Sequence, residues 1–190
     1  MSDIISGLRV SAATMTICVV GYAGAVLGFA QAVTPATADG SLLTDDAGTI
    51  IGSRQIAQAF TAPGYVWPRP SAVHYTANAA GGSNLSPANP EIATRAQGII
   101  SAYGGASPSD PIPADLVTAS GAGLDPHISL DGALFQADRV AAARGLSPED
   151  VRRIMRDHAM RPGGALMSGR IVNVLALNLA LDDAVPSSDN

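Results

Sequence analysis

No residue between positions 10 and 38 carries a charge. The run VSAATMTICVVGYAGAVLGFAQAVTPATA is bounded by Arg9 and Asp39. A bilayer core about 30 Å thick takes about 20 helical residues, and residues 10–33 fill that length. Two other structures compete for the run. Ala30-Gln31-Ala32 has the form of a signal-peptide cleavage site, but a signal peptide carries an apolar region of about 7–15 residues behind a basic head. Here the run is longer, and the head offers only Arg9 and the terminal amine. A buried helix of a soluble core is the third reading. The expectation is a retained single span at 10–33 behind a short head at 1–9. Cys18 lies inside it and reads as a small apolar residue. A single Cys excludes an intrachain disulfide and a thiolate zinc cluster.

Charge around the span gives a direction. Arg9 precedes it and no Arg follows until Arg54, whereas Asp39, Asp45 and Asp46 come soon after. The positive-inside rule then places residues 1–9 in the cytoplasm and residues 34–182 outside, with a frayed tail at 183–190. Within the span Gly21, Gly24 and Gly28 share one helix face, flanked by Thr14 and Ala25. Small residues let a second helix approach closely, so this face is expected to pack on a membrane partner. Glycine is also common in membrane helices for no such reason.

The eleven basic residues are all Arg; Lys is absent. That removes the P-loop, the protein-kinase phosphate clamp and Schiff-base catalysis, each of which needs a lysine amine. A net charge of −5 disfavours nucleic acid as a partner. Apolar residues make up 47% and charged residues 14% of the chain, which excludes disorder for most of it.

Beyond the span the signals are mixed. Residues 49–51 read as a short strand, and Ser53 as the cap of a short helix reaching about Phe60. Residues 61–90 are dense in Pro, Gly, Ser and Asn, yet hold the only Trp, Trp67, together with Tyr65 and His74. A linker rarely carries such residues, so this is expected to be a folded, functional loop. Asn89-Pro90-Glu91 opens a helix with Ile92, Ala96, Ile99, Ile100 and Tyr103 at helical spacing. A second helix is expected from Ser129 to Arg144. Ser147-Pro148 opens a third, with Val151, Ile154, Met155 and His158 on one face. Residues 171–181, IVNVLALNLAL, fit either a strand or a helix with polar spots at Asn173 and Asn178. Helices that follow one another without alternating strands predict an α+β fold.

Candidate chemistry is sparse. Gly81-Gly82-Ser83-Asn84 forms a glycine-rich turn whose amides can cradle an anion; a tight structural turn explains it equally. Ser120, Asp125 and His127 hold the residue types of a nucleophilic triad. Only Pro126 separates the acid from the His, and no G-x-S-x-G elbow is present. His74, His127 and His158 lack metal-ligand spacing. Gln136, Arg139 and Arg144 with Arg152, Arg153 and Arg156 form either a solvated face or a docking surface for an acidic partner or an anion. A membrane-anchored hydrolase or a small-anion-binding module remains the alternative to an accessory subunit.

Three motifs carry a resemblance. They are VTASGAGLDPHIS (117–129) followed by Gln136-x-x-Arg139-Val140-Ala141, Arg69-Pro70-Ser71-Ala72 followed by Gly81-Gly82-Ser83-Asn84-Leu85, and VNVLALNLALD (172–182). In this order behind a single span the chain resembles the KdpC family, the C subunits of bacterial potassium-transporting P-type ATPases. It departs from the family at Ala80 and Ala122, where Ser is usual, and at Gln55 and Ala57, where Leu and Gly are.

The resemblance implies a single-pass subunit of the bacterial inner membrane. Its implied partners are a channel-like K⁺-binding subunit and an ATP-hydrolysing P-type subunit. It implies K⁺ as the transported ion, ATP at the level of the complex, and no bound cofactor or metal. The phosphorylation motif of such a pump contains a Lys, so this chain is expected to be non-catalytic. Family proposals of a catalytic chaperone map nucleotide association to Gln136 and Arg139. The motif loops are those of Arg69, Gly81, Gly82, Ser83, Asn84, Ser120, Leu124, Asp125 and His127. The charge pattern, however, puts Gln136 on the side away from cytoplasmic ATP.

Overall fold

The computed structural model of the chain describes residues 2–45, 47–105, 107, 111–164 and 168–184. They form two compact units, residues 1–51 and 52–190.

The first unit is dominated by a continuous helix, Ser2–Val33, long and apolar enough to cross a membrane, with none of its apolar window buried. It consists of α1 (Ser2–Met15), a π-helical stretch (Thr16–Tyr22) and α2 (Ala23–Val33). Thr14 and Thr16 return their hydroxyls to the carbonyls of Val10 and Ala12, so these polar groups are satisfied inside the helix. A short helix α3 (Pro35–Ala38) follows, started by a Pro at its first turn. Strands β1 (Leu42–Thr44) and β2 (Ile50–Ser53) pair and lead the chain into the second unit.

The second unit is built on α4 (Pro90–Ala102), α5 (Ala114–Val117), β3 (His127–Ser129), α6 (Leu130–Phe135), α7 (Ala137–Arg144), α8 (Pro148–Asp157), β4 (Ala159–Met160), β5 (Ile171–Asn173) and α9 (Val174–Asp183). β5 is central in an antiparallel sheet ordered β3-β5-β4, with Ile128 and Ala159 both opposite Val172. The core gathers Leu116, Ile128, Val140, Val151, Met155, Val172, Leu177 and Leu181, all almost fully buried. Helices and short antiparallel strands in one unit agree with the mixed class expected.

Local capping signals locate α4, α6 and α8. Asn89 accepts the Glu91 amide at α4, Ser129 the Gly132 amide at α6, and Ser147 the Asp150 amide at α8. Val151 and Met155 of α8 face the core, whereas His158 is its exposed C-cap.

Two expectations need correction, and a reading left open is resolved. Residues 54–60 form a turn and extended chain instead of a helix: Ser53 Oγ accepts the Gln55 amide, and the Ala57 amide donates to the distant Leu124 carbonyl at 2.9 Å. The helix expected from Ser129 to Arg144 is divided at Gln136 into α6 and α7. Residues 171–181 are both alternatives in sequence, a strand to Asn173 and a helix from Val174. The switch is made by Asn173, whose Oδ1 caps the Ala176 amide and whose Nδ2 donates to the Arg54 carbonyl at 2.8 Å. Of the tail expected to fray, Asp183 still belongs to α9, and residues 185–190 lie outside the described residues.

Candidate functional site

Part of the glycine- and proline-rich loop expected to be functional, residues 63–67, is bonded carbonyl by carbonyl to side chains of the second unit. Asn178 of α9, 1% exposed, accepts the Val66 amide at 2.8 Å and donates to the Val66 carbonyl at 3.0 Å. Gln136, at the α6–α7 junction and also 1% exposed, treats Trp67 the same way, at 2.8 and 3.2 Å. In an extended chain the amide and carbonyl of one residue point to one side and those of the next to the other. Residues 66–67 are therefore bonded like a central strand, with a side-chain amide on each flank in place of a neighbouring strand.

Arginines complete the arrangement. Arg139 Nη1 donates to the carbonyls of Pro63 (2.6 Å) and Tyr65 (3.0 Å), and its Nη2 to Gln136 Oε1 (2.6 Å). Its guanidinium lies 3.8 Å from the centre of the Trp67 ring. Arg144 donates to the Gly64 and Leu181 carbonyls and to Asp182, and lies over the Tyr65 ring. Five consecutive carbonyls, from Pro63 to Trp67, are thus each taken by a side chain. Burial lowers the Arg139 pKa from its ordinary value. The planar fork of Arg suits such multiple backbone bonding where the ammonium of Lys would not.

This places two residues of the family's nucleotide proposal. The Gln136 amide makes a fourth bond, Nε2 to the Gly132 carbonyl at 3.2 Å. Both its N–H groups and its oxygen are occupied by its own chain.

The motif loops assemble beside this clamp. Arg69 pairs with Asp125 (3.4 Å) and donates to the Ala119 carbonyl. Asp125 Oδ1 accepts the His127 amide and faces His127 Nδ1 at 3.2 Å. Ser120 is 3% exposed, and its hydroxyl accepts the Asp125 amide at 3.3 Å. That oxygen is engaged with the loop backbone, and the residue types of a triad meet here in a structural turn. The Gly81 amide donates to the Ala122 carbonyl at 2.9 Å, so this group of the glycine-rich turn serves the fold. A Cβ on Gly82 would stand 2.6 Å from the Gly121 carbonyl oxygen, and one on Gly123, at φ +69°, 2.9 Å from the Gly81 oxygen. The two loops can approach this closely because both positions are glycine. The Leu124 carbonyl holds Ala57; Ser83 is half-buried, and Asn84 is exposed with φ +51°. Among the described residues no group of three or more His, Cys, Asp or Glu converges on a metal position.

Beside Trp67 lies an apolar cavity of about 320 Å³, walled by Phe60, Trp67, Pro68, Pro70, Tyr75 and Leu116, by Ile99 and Ala102 of α4 and by its C-cap Tyr103. Tyr103 packs on Trp67 and Phe135. Burial pushes its phenol up to about 12, with the Arg139 charge pulling the other way. Tyr75 is raised by burial too, and its hydroxyl donates to the Arg69 carbonyl at 2.8 Å.

Tyr75 is the cavity residue that no sequence signal names, and Gln136, Arg139 and Arg144, expected on a solvated or docking face, are instead turned onto the chain's own backbone. An Asn inside IVNVLALNLAL is the one local signal, because a polar group in an apolar run must find a buried partner. Nothing local names Val66 as that partner, 112 positions away.

Among the described residues one apolar helix, long enough to cross a membrane, precedes a small mixed unit whose motif residues bond largely to their own loops. The chain belongs to the KdpC family, K⁺-transporting ATPase c chain, whose profile matches residues 4–183. It is 53% identical over 182 residues to a potassium-transporting ATPase KdpC subunit of Parvibaculum lavamentivorans, covering 96% of this chain and 97% of the relative. It is 48% identical to that of Polaromonas naphthalenivorans (88% and 87% covered) and 43% identical to that of Geobacter metallireducens (98% and 100%).

Proposed function

We propose that the chain is a non-catalytic subunit of an ATP-driven K⁺ uptake pump in a bacterial inner membrane. Its N-terminus is cytoplasmic and its second unit extracytoplasmic. The observation that carries this is the exposed apolar helix Ser2–Val33 in a member of the KdpC family. Arg9 before the apolar run, with no Arg after it until Arg54, supports the orientation. Its partners are the channel-like K⁺-binding subunit and the ATP-hydrolysing subunit; K⁺ is cargo and ATP belongs to the complex. Assistance to the ATP-hydrolysing subunit, the chaperone role, is then indirect. Gln136 and Arg139 contribute to it by holding residues 63–67.

Orientation is tested with Ser86→Cys, at an exposed position, in a Cys18→Ser background. A membrane-impermeant thiol reagent is expected to label it in intact cells. Labelling only after lysis would reverse the topology. The Gly21, Gly24 and Gly28 face is proposed to pack on a partner helix. A Cβ on Gly24 or Gly28 meets nothing within 4 Å, so a Gly24→Leu, Gly28→Leu chain keeps its own helix. It is expected to leave the detergent-solubilised complex, and unchanged assembly would refute this interface.

A further inference from the structure

The cavity beside Trp67 has one wall unlike the others. Phe60, Pro68, Pro70, Tyr75 and Leu116 come from loops and the short helix α5, and Trp67 is fixed through its backbone by Gln136. The remaining wall, Ile99, Ala102 and Tyr103, belongs to α4 and its C-cap. None of the residues of α4 is buried, whereas α8 buries two and α9 buries five over ten residues each. Among the helices and strands α4 packs chiefly on α5, itself a single turn. At its C-terminal end stand Gly104 and Gly105 with φ +88° and +100°, a pair of backbone conformations that other residues rarely adopt. Gly98, in mid-helix, further weakens α4 as a free-standing element. Local opening has its lowest free energy where few apolar groups are buried.

We infer that α4 is a lid: it swings or frays away from the Trp67 cavity as a local unit while the rest of the domain stays folded. The opening exposes Phe60, Trp67 and Tyr75 and leaves the clamp on residues 63–67 intact. Those bonds come from α7, α9 and the α6–α7 junction, none of which moves. The closed state is held by Tyr103, which packs on Trp67 and Phe135, and by Ile99 on the cavity wall.

The test uses the full chain in detergent, with amide hydrogen exchange resolved by segment and acrylamide quenching of Trp67, the only Trp. Amides of α4 are expected to exchange about 100-fold faster than those of α9. Ile99→Ala removes lid contact and is expected to raise α4 exchange about tenfold and to increase Trp67 quenching, with α7 and α9 unchanged. Ala102→Leu adds apolar contact from the lid side and is expected to do the reverse. The lid is refuted if α4 and α9 exchange at the same rate. It is refuted equally if Ile99→Ala accelerates exchange throughout the domain, which would make α4 part of the cooperative core. No change of Trp67 quenching in either variant also overturns it.

Discussion

Residues 63–68 and helix α4 both contribute to the wall of one cavity and reverse the usual association between regularity and rigidity. The first has no regular secondary structure, yet five successive carbonyls and two amides are bonded by Asn178, Gln136, Arg139 and Arg144. The second is a regular helix of thirteen residues with a well-formed N-cap and no buried side chain. Being held is a matter of tertiary partners; internal hydrogen bonds set a shape without anchoring it.

The largest expected effects come from breaking the clamp. Gln136→Ala or Asn178→Ala leaves an amide and a carbonyl of residue 67 or 66 without partners in the interior. Each is expected to cost about 3 kcal/mol, read as the shift in the denaturant midpoint followed by Trp67 fluorescence. If either costs under about 0.5 kcal/mol, the background of ordinary surface substitutions, the segment is held by packing instead. Arg139→Lys keeps a charge but loses the fork and the stacking on Trp67. A loss of about 1–2 kcal/mol is expected, together with a changed Trp67 emission.

Alkaline pH probes the cavity edge of the same comparison. The Tyr103 phenol is raised to about 12 in the folded protein, first by burial, so the fold favours its protonated form. Its contribution is complete below about pH 10, the ordinary tyrosine value, and is lost as pH rises toward about 12. Thermal unfolding scans across that window are expected to fall less steeply for Tyr103→Phe than for the natural chain. Because the chain has no Lys, no lysine titration overlaps the window. Equal slopes would mean that the phenol is not desolvated at the cavity.

The smallest effect sharpens the other side. A Cβ on Gly98 meets nothing within 4 Å, so Gly98→Ala is expected to stabilise α4 alone, by about 0.5–1 kcal/mol. Amide exchange in α4 should slow while the global midpoint stays in place. A shifted midpoint would show α4 unfolding together with the core.

How far the fold can be read in advance follows the same division. Helix starts at Asn89, Ser129 and Ser147 are legible because a cap is a local device acting within three residues. The break at Gln136 is not, because its cause is Trp67, 69 positions earlier in the chain. The turn after Ser53 is missed for the same reason, since the Ala57 amide is claimed by Leu124. In the motif loops the residue types of Ser120, Asp125 and His127 invite a catalytic reading. Only the geometry shows the serine oxygen turned to a backbone amide. The Gly81-Gly82 turn is legible as a turn, and its opposing loop at Gly121 is not.

The side-chain clamp has a further consequence for association between chains. A segment paired with a strand passes its problem outward, because the partner strand has an edge of its own that must be covered or left open to another molecule. Asn178 and Gln136 each satisfy one residue and stop there, since a side-chain amide has no next residue to propagate the ladder. Residues 66–67 are therefore closed on both flanks, and this extended, apolar-rich stretch offers other copies of the chain no edge to extend.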